Sequence, residues 1–520
     1  MANPFAVATR AALTGPISVA RPRAHVYHGA QINRLHADWV MSSLSANQAL
    51  YTDLLTLRNR ARELVISNAT AARVPSLFSE NIIGKDGITL QSNVRSTRGE
   101  PHERLNRQID LQWYRWAERQ HCSVDGSRSW CETEALIAQT EAVDGEVLIR
   151  LVRGFDNPFG FAIDVLDPDQ LDETYNVEPR EGQNAIVMGV EQDRWGRPVA
   201  YHLWANHPSE LKRRKERIRV PADQIVHLFI QRRPKQGRGV TWFAPVIVDL
   251  KMLGGYREAE LVAARTASAK MGFMVNTSPE NPAAPMTPED DRADHIQFNA
   301  EPGVVDQLEP GWDFKSWDPT HPSTAFAEFD KAILRSIATA LRVSYMSLSG
   351  DLSDTSYGSG RIGLLNERAV FESLQYRFVE RVSQPVFRAW LEMAALTGAV
   401  QLPSSEVDQY AAQAKWHPRP FPWIDPEADL SAAETELRLG LETHTRFAAK
   451  KGLDYELDIL AERQRERQLR AKYGEPEPVL GTAAHQQPDD ENEAETDDED
   501  TSERPAAPRG RTKLLAIGGN

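Results

Sequence analysis

Apolar residues recur at helical spacing through the first part of the chain. One such stripe consists of Leu54, Leu57, Ala61, Leu64 and Val65. This spacing is typical of an amphipathic helix. Asn68 follows the stripe and belongs to the residue types that cap helix N-termini, so we expect a second helix to begin there. The pattern predicts helices over 52–67, 68–84, 104–120 and 129–143.

The pattern then changes to short apolar runs that are separated by turn residues. The sequence Asp-Arg-Trp-Gly-Arg-Pro at 193–198 lies between two of these runs and is typical of a β-hairpin. Helices followed by antiparallel strands predict an α+β fold class for 51–243. The predicted strands are 146–152, 161–166, 185–192, 199–204 and 225–230.

A long helix is predicted within 244–271, with Pro245 in its first turn. It would run for roughly 26 residues, or ~39 Å. Its middle is rich in small residues, which let helix backbones approach one another closely. We therefore expect neighbours on more than one side of this helix, as in a ring of subunits. The residues expected at the subunit contact are Gly255, Ala259, Ala263 and Ala267.

A second long helix is predicted within 317–343, and it has two distinct faces. Its apolar face contains Phe326, Phe329, Ile333, Ile337 and Leu341. At ~100° per residue, Lys331, Arg335 and Arg342 fall together on the opposite side. The segment 272–316 between the two long helices is rich in proline and acidic residues and is expected to be irregular.

The remaining segments differ in composition. Residues 344–358 are predicted to form a loop, and 359–399 a long helix with a kink at Pro385. Residues 400–475 hold a connection rich in Trp and Pro and two further helices. The pattern predicts a flexible basic arm over 1–50 and a disordered acidic tail over 476–520.

Charge is distributed unevenly along the 520 residues. The net charge is -14, but residues 489–503 contain ten acids and no base, which leaves -4 for all other residues. An acidic average therefore does not argue against contact with nucleic acid. The hydrophobic fraction of 41% is ordinary for a globular protein, and no run is long enough to span a membrane.

Three motifs suggest chemistry without completing a site. Residues 358–363 match GxGxxG, but a dinucleotide site needs a buried strand before this turn. Asp167, Asp169 and Asp172 form an acidic cluster, which we interpret as a solvated loop because no further metal ligand is evident. The basic run at 212–219 is interpreted as an exposed loop between strands. The sequence thus predicts no catalytic residue, cofactor or metal.

Several stretches, in their order and spacing, resemble the lambda-type family of phage portal proteins. They are RNRARELVISNATAARVPSLFSENIIG at 58–84, WAE at 116–118, CSVDG at 122–126, DGEV at 144–147, LDPDQLD at 166–172, GVE at 189–191, WGRPVAY at 195–201, VPAD at 220–223, HLF at 227–229, RGVTW at 238–242 and IATALRVSYMSLSGD at 337–351, with Ser356 and Tyr357 just after the last of these. The resemblance covers about residues 50–470.

The resemblance implies a ring, usually of twelve subunits, at one vertex of a capsid. Double-stranded DNA would pass through its axial channel during packaging and ejection, without sequence preference. Expected partners are the large terminase subunit, a major capsid or scaffold protein, and a head-completion adaptor that connects head to tail. The protein would be assembled in the cytoplasm of a bacterial host and end in the virion. It would be neither an enzyme nor a membrane protein.

The resemblance also assigns parts of the chain. Residues 51–243 correspond to the wing, 244–271 and 317–343 to the stem helices, and 272–316 to the clip. A tunnel loop at 344–358 would face DNA, 359–399 would return to the wing, and 400–475 would form the crown. Expected channel residues are Ser347, Ser349, Asp351, Ser353, Thr355 and Tyr357, with Lys331, Arg335 and Arg342 as a basic stripe. Expected clip residues for terminase or adaptor docking are Glu289, Asp290, Asp291 and Arg292.

Two alternatives stay open at this point. The same fold could serve a defective prophage or a gene-transfer particle, which the sequence does not distinguish from an active phage. A nucleotide-binding, DNA-processing enzyme built on the GxGxxG motif is the alternative from another functional class, and nucleotide binding by the pure protein would discriminate it.

Overall fold

The computed structural model describes residues 43–95, 102–210, 216–268, 272–276, 312–316, 326–353, 356–422, 426–450 and 455–475. Most of the predicted arm, most of the predicted clip and the acidic tail lie outside these ranges. The chain divides into two compact units, Met1–Pro422 and Trp423–Asn520, and each is described by itself.

Capping residues set the starts of the amino-terminal helices. Ser45 forms a capping box with Gln48, so the first helix begins at Ala46, six residues before the predicted start. Asn68 and Ser129 cap the second and fifth helices, as predicted for Asn68. These helices are α1 (Ala46–Ser67), α2 (Ala69–Ile82), α3 (Glu103–Trp116), α4 (Arg119–Cys122) and α5 (Trp130–Asp144).

Two antiparallel sheets follow, as the α+β prediction requires. Their strands are β2 (Glu146–Arg153), β3 (Phe161–Leu166), β4 (Ala185–Val187), β5 (Val190–Gln192), β6 (Pro198–Trp204), β7 (Arg217–Pro221) and β8 (Ile225–Phe229). The first sheet has the order β3-β2-β8 and the second β4-β5-β6-β7. The preceding strand β1 (Thr89–Gln91) pairs with a distant strand, β11 (Lys415–His417).

The structure corrects two predictions in this region, one of a strand and one of a loop. Residues 185–192 form two strands because Met188 and Gly189 turn the chain with φ of 47° and 81°. The end of the basic run at 212–219 is strand β7 and not a loop. Arg217 pairs with Asp172 and its guanidinium lies 4.0 Å from the ring centroid of Tyr175, so it is held in the sheet.

The described residues of 247–412 form mainly helices, with one pair of antiparallel strands. Its elements are α6 (Ile247–Ser268), β9 (Gly272–Asn276), β10 (Trp312–Ser316), α7 (Phe326–Leu341), α8 (Tyr345–Ser349), α9 (Tyr357–Phe378), α10 (Gln384–Leu396) and α11 (Val407–Ala412). Strands β9 and β10 are antiparallel partners, so both ends of the segment predicted as irregular are ordered. A π-turn over Val379–Ser383 joins α9 to α10 just before Pro385, where the kink is predicted.

An aromatic cluster forms the centre of the first unit. The Trp113 ring lies 4.8–6.0 Å, centroid to centroid, from its aromatic neighbours, mostly edge to face. Such contacts add to the stabilisation that apolar burial gives. The neighbours are Trp116, Trp130, Phe387, Trp390 and Trp416. Since they come from α3, α5, α10 and β11, residues 400–417 belong to the same core as 103–144.

The second unit is helical where it is described. It contains α12 (Pro426–Arg438), α13 (His444–Lys450), a π-turn (Tyr455–Leu460) and α14 (Ala461–Tyr473). None of the helices that the structure describes combines the length and apolar character that crossing a membrane requires.

Candidate functional site

Five of the stretches that carry the family resemblance meet around one buried carboxylate. Glu146, at the start of β2, accepts hydrogen bonds from Arg58 on α1 and from Arg238 and Gly239 after β8. Asp169, in the turn after β3, binds the same Arg58. Arg58 and Asp169 are 111 positions apart and Arg238 lies still further along the chain, so one set of charges joins distant segments.

Glu146 is ionised in this setting. Its Oε1 lies 2.6 Å from a terminal nitrogen of both Arg58 and Arg238, and His227 Nε2 lies 3.0 Å from its Oε2. Burial alone would raise the pKa of Glu146, but Arg238, His227 and Arg58 together hold that pKa well below its usual value. A buried carboxylate with this many donors fixes the geometry of the elements that supply them.

Further acidic residues lie next to the Glu146 cluster. Arg62 binds Asp144, Asp167 and Asp169 at 2.7–2.8 Å. The interpretation of the acidic cluster as a solvated loop was therefore wrong, because its carboxylates face guanidinium groups. Oxygens of Asp167 and Asp169 also lie near His207, with ligand atoms within 4.8 Å of one another. Two arginines already neutralise these oxygens, so the arrangement is an ion-pair network.

Two glycines allow the segments of this network to cross. Gly145 ends α5 with φ of 84°, and a Cβ there would lie 2.1 Å from the carbonyl carbon of Val240. A Cβ on Gly239 would lie 2.1 Å from the Gly145 carbonyl oxygen. Both contacts are impossible for a larger residue, so the DGEV and RGVTW stretches need glycine at these positions.

The two predicted stem helices pack against each other. The Arg257 guanidinium on α6 forms two hydrogen bonds, 2.7 and 2.9 Å long, with the Asp330 carboxylate on α7. The ring of Tyr256 lies 5.6 Å from that of Phe326 and 5.2 Å from that of Phe329. A bidentate pair fixes the relative orientation of two helices better than a single contact does.

One face of α6 is apolar and exposed in the single chain. Val248, Met252 and Val262 are 67%, 70% and 53% exposed. At 100° per residue Gly255 and Ala259 lie on the same face, within about 80° of arc, and both are also exposed. Ala263 lies at the edge of this face and is half-buried, while Ala267 belongs to α6 without a described side chain.

The predicted basic stripe is divided by the structure. Lys331 Nζ lies 3.8 Å from the Asp351 carboxylate, and the Arg335 guanidinium lies 5.4 Å from the ring centroid of Tyr345. Arg342 is not on the helical stripe, because α7 ends at Leu341 and Arg342 turns away with φ of 58°. Burial lowers the pKa of the Arg232 guanidinium, and the nearby charge of Arg342 lowers it further.

The predicted loop at 344–358 is partly helical. Ser344 caps the short helix α8, which ends at Gly350 with φ of 72°. Helix α9 begins at Tyr357, two residues before its predicted start, with Ser356 as its cap. A serine cap at each start compensates for the glycines nearby. The stretch between α8 and α9 therefore contracts to 350–356, and Asp354 and Thr355 in it lie outside the described residues.

A hydrogen bond holds the segment around α8 to α9, and further hydrogen bonds form within the segment itself. Ser347 donates to Glu367 on α9 at 2.8 Å, and the Tyr345 hydroxyl donates to Asp351 at 2.9 Å. Ser353 donates its amide and hydroxyl to Asp351, and these bonds, with that of Tyr345, lower the pKa of Asp351 to about 2. Asp351 is thus charged at neutral pH and available to Lys331.

The other predicted site residues are placed unevenly. Ser349 donates its hydroxyl to the Tyr345 carbonyl and so closes the turn of α8. Ser353 and Tyr357 are exposed. The predicted clip residues Glu289, Asp290, Asp291 and Arg292 lie outside the described residues.

The glycine motif does not form a phosphate-binding turn. Gly358–Gly363 lie within α9, whose first turn is capped by Ser356. A dinucleotide site needs these glycines between a buried strand and a helix start, within a βαβ unit. The segment before α9 is instead the short helix α8 and a turn. The geometry needed for the nucleotide-binding alternative is therefore missing from this part of the described chain.

The ion-pair network is the feature that sequence reasoning missed. Its members lie within separate stretches of the sequence, and nothing in their spacing indicates that these stretches meet. Charged residues inside otherwise apolar stretches, such as Glu146 in β2, were the available signal.

The chain matches a family model described as phage portal protein, lambda family, over residues 33–375. It is 33% identical over 478 residues to the "Probable portal protein" of Halomonas phage phiHAP-1, covering 90% of this chain and 92% of that protein. It is 24% identical over 485 residues to portal protein B of Escherichia phage lambda, covering 86% and 90%.

Among solved structures, the chain is similar to one described as the neck of a native GTA particle computed with C12 symmetry. The TM-score is 0.41 and the identity 15%, over 77% of this chain and 93% of that chain. The family model spans well over half of the chain, and the relative from phage phiHAP-1 matches nearly all of it. On these sequence matches, the chain belongs to the lambda family of phage portal proteins.

Proposed function

We propose that the protein forms the portal ring at one vertex of the capsid of a tailed phage, most often with twelve subunits. The observation that carries this proposal is the exposed apolar face of α6. A face with three large apolar side chains more than half exposed is unfavourable in a soluble monomer. A neighbouring subunit would cover it in a closed ring.

The small residues on this face fit the same role. Gly255 and Ala259 lie between Met252 and Val262 along α6, so a second helix could approach closely at the centre of the face while the larger side chains pack at its ends. The pair Arg257–Asp330 lies elsewhere on α6 and already orients α7. The contact with the neighbour would then be made by a preformed pair of stem helices.

The double variant Met252→Glu with Val262→Glu tests the ring. It would place two charges in an apolar contact, so we expect a shift from rings to 58.3 kDa monomers in mass photometry. Leu396→Glu, which changes an exposed leucine on α10, is the matched control and should leave rings intact. Rings of wild-type stability in the double variant would overturn the assignment of this face.

We infer that the ring conducts double-stranded DNA without sequence preference and that the segment after α7 lies closest to it. Ser353 and Tyr357 are exposed there, and the hydroxyls of Ser347, Ser349 and Ser353 all donate to protein acceptors. DNA carries one charge per ~1.7 Å, so a conducting channel needs few strong cationic contacts. The ion pair between Lys331 and Asp351 weakens the contact that the Lys331 ammonium group could make with DNA.

A packaging assay tests this channel. The double variant Arg335→Glu with Arg342→Glu should still form rings in micrographs but should package or retain less DNA, because each subunit loses two positive charges and gains two negative ones. Lys85→Glu, at a side chain that is 90% exposed on the wing, is the control. Normal packaging by intact double-variant rings would show that these arginines face protein or bulk solvent.

We further propose that the segment between α6 and α7 docks the large terminase subunit and, later, a head-completion adaptor. Strands β9 and β10 pair in register, so they would carry 277–311 on a two-stranded base. Contact with a major capsid or scaffold protein, assembly in the cytoplasm of a bacterial host and the absence of ATPase activity in the isolated ring belong to the same proposal.

Deleting 283–293 tests the docking assignment, because the deletion spares both strands of the base. We expect rings that form normally and no longer bind terminase in a pull-down. Wild-type binding of terminase by the deleted ring would contradict the assignment. Measurable ATP hydrolysis by the purified wild-type ring would contradict the proposed non-enzymatic role.

A further inference from the structure

Helix α14 carries an exposed basic surface that the proposed function does not use. Residues 461–473 contain four arginines and one lysine but only two acids, a net charge of +3. At 100° per residue Arg463, Arg467 and Arg470 lie within about 60° of arc. We call these three residues the arginine face. Arg463 and Arg467 are exposed, and Arg470 is half-buried and pairs with Glu466 at 2.6 Å.

The chain that leaves α14 carries the complementary charge. Residues 489–503 contain ten acids and no base. They are separated from Tyr473 by 474–488, which at ~3.3–3.6 Å per residue can span up to about 50 Å. The helix itself is about 20 Å long. The acidic segment can therefore reach every residue of the arginine face on its own chain.

The end of α14 directs the chain out of the helix beside this face. Gly474 has φ of 71°, and the amide of Glu475 bonds back to the Arg470 carbonyl at 3.0 Å. A left-handed residue after a helix with such a bond stops the helix and turns the chain aside. Arg470, the last residue of the arginine face, is thus next to the exit point.

We propose that the acidic segment 489–503 docks on the arginine face of α14 of the same chain. Charge complementarity and a short tether give the segment a high effective concentration at this surface. Duplex DNA presents the same kind of charge to arginine side chains as a run of carboxylates does. The docked segment therefore shields α14 from DNA until a denser polyanion displaces it.

Zero-length carbodiimide cross-linking of the full-length protein tests the docking. Arg463→Lys with Arg467→Lys keeps the charge and introduces amines that can couple to carboxylates of 489–503. Lys472 lies about 140–180° around the helix and serves as the internal control. We expect cross-links from positions 463 and 467 to exceed those from Lys472. The absence of these cross-links would overturn the proposal. So would cross-links that join different chains, which a mixture of isotopically light and heavy protein reveals as mixed light–heavy pairs.

Binding to a duplex oligonucleotide at low salt provides the second readout. Replacing all ten acids of 489–503 by their amides should raise the affinity by roughly tenfold, because the tethered competitor is removed. Adding Arg463→Glu and Arg467→Glu should abolish that gain. The control Glu434→Gln with Glu436→Gln removes acids from α12 and should change little. Equal affinity of the amide variant and the wild type would overturn the proposal, as would a gain that survives the arginine changes.

Discussion

Arg58 and Glu146 are joined at 2.6 Å, and both side chains are almost completely buried. The pair connects the middle of α1 to the first residue of β2, 88 positions later. Because Arg238 and Asp169 bind the same two groups, the pair is the centre of a network and not an isolated salt bridge. The network positions the sheet relative to the helices that precede it.

Glu146→Gln should destabilise the fold strongly. The change leaves the buried guanidiniums of Arg58 and Arg238 without their shared carboxylate, which costs about 3–5 kcal/mol in other proteins. Urea unfolding followed by circular dichroism measures the loss. Glu80→Gln, which breaks an exposed pair with Arg73, is the control and should cost less than about 1 kcal/mol. A similar cost for both variants would argue against a special role for the network.

Glu134 should make stability depend on pH in the direction opposite to most carboxylates. It is fully buried, its Oε2 accepts the Ile88 amide at 3.1 Å, and burial raises its pKa to about 8 from the ordinary 4.5. Between these values the folded state keeps a proton that the unfolded state has released. The stabilisation is therefore complete below about pH 4.5 and is lost as pH rises through about 8.

Glu134→Gln removes this titration. From pH 5 to 8 the free energy of unfolding of the wild type should fall relative to that of the variant, by at most about 1.4 kcal/mol per pH unit. Urea midpoints across this range give the difference. Parallel pH profiles for the two proteins would show that Glu134 has an ordinary pKa.

Arg342→Gly should stabilise the end of α7. Arg342 occupies a left-handed position, and the Val343 amide bonds back to the Ala338 carbonyl at 3.1 Å, as in a glycine-terminated helix. Relief of backbone strain is worth about 1 kcal/mol. Gly350→Ala, which introduces a side chain at φ of 72° after α8, should lose a similar amount. Thermal unfolding of both variants checks the two signs.

Asp351→Asn should loosen the segment around α8. It removes the charge that faces Lys331 and weakens the acceptor for Tyr345 and Ser353. A loss of about 1 kcal/mol corresponds to about fivefold faster amide hydrogen exchange in 345–353. Asp408→Asn, in an exposed pair with Arg388, should leave that exchange unchanged. Unaltered exchange in Asp351→Asn would mean that the Ser347–Glu367 bond alone fixes the segment.

Local signals in the sequence were sufficient for many elements but not for their contacts. Asn68 caps α2 where it was predicted, because capping depends only on neighbouring amides. The second stem helix was predicted within 317–343, but α7 ends at Leu341, since Arg342 adopts a left-handed conformation that is unusual for arginine. The strand containing Arg217 was missed because its charges are compensated by residues from other parts of the sheet.

The candidate site shows the same limit. The periodicity of 245–270 predicted a helix with small residues, and Gly255 and Ala259 do lie on an exposed face. The spacing could not show that Lys331 would meet Asp351, because that contact depends on the turn made by Gly350. The ion-pair network depends on five distant segments, and its central partners, Arg58 and Glu146, lie in different ones.

The π-turn at Val379–Ser383 has a consequence for chain length. A π-turn holds one residue more than the corresponding α-helical turn, and buried side chains continue on both sides of it, with Phe378 before it and Val386 after it. Gln384 accordingly donates to the Val379 carbonyl, five residues back. The turn thus absorbs one surplus residue, so a one-residue deletion within 379–383 should keep the buried stripes of α9 and α10 aligned. The same deletion in the middle of α9 would rotate one stripe against the other by about 100°.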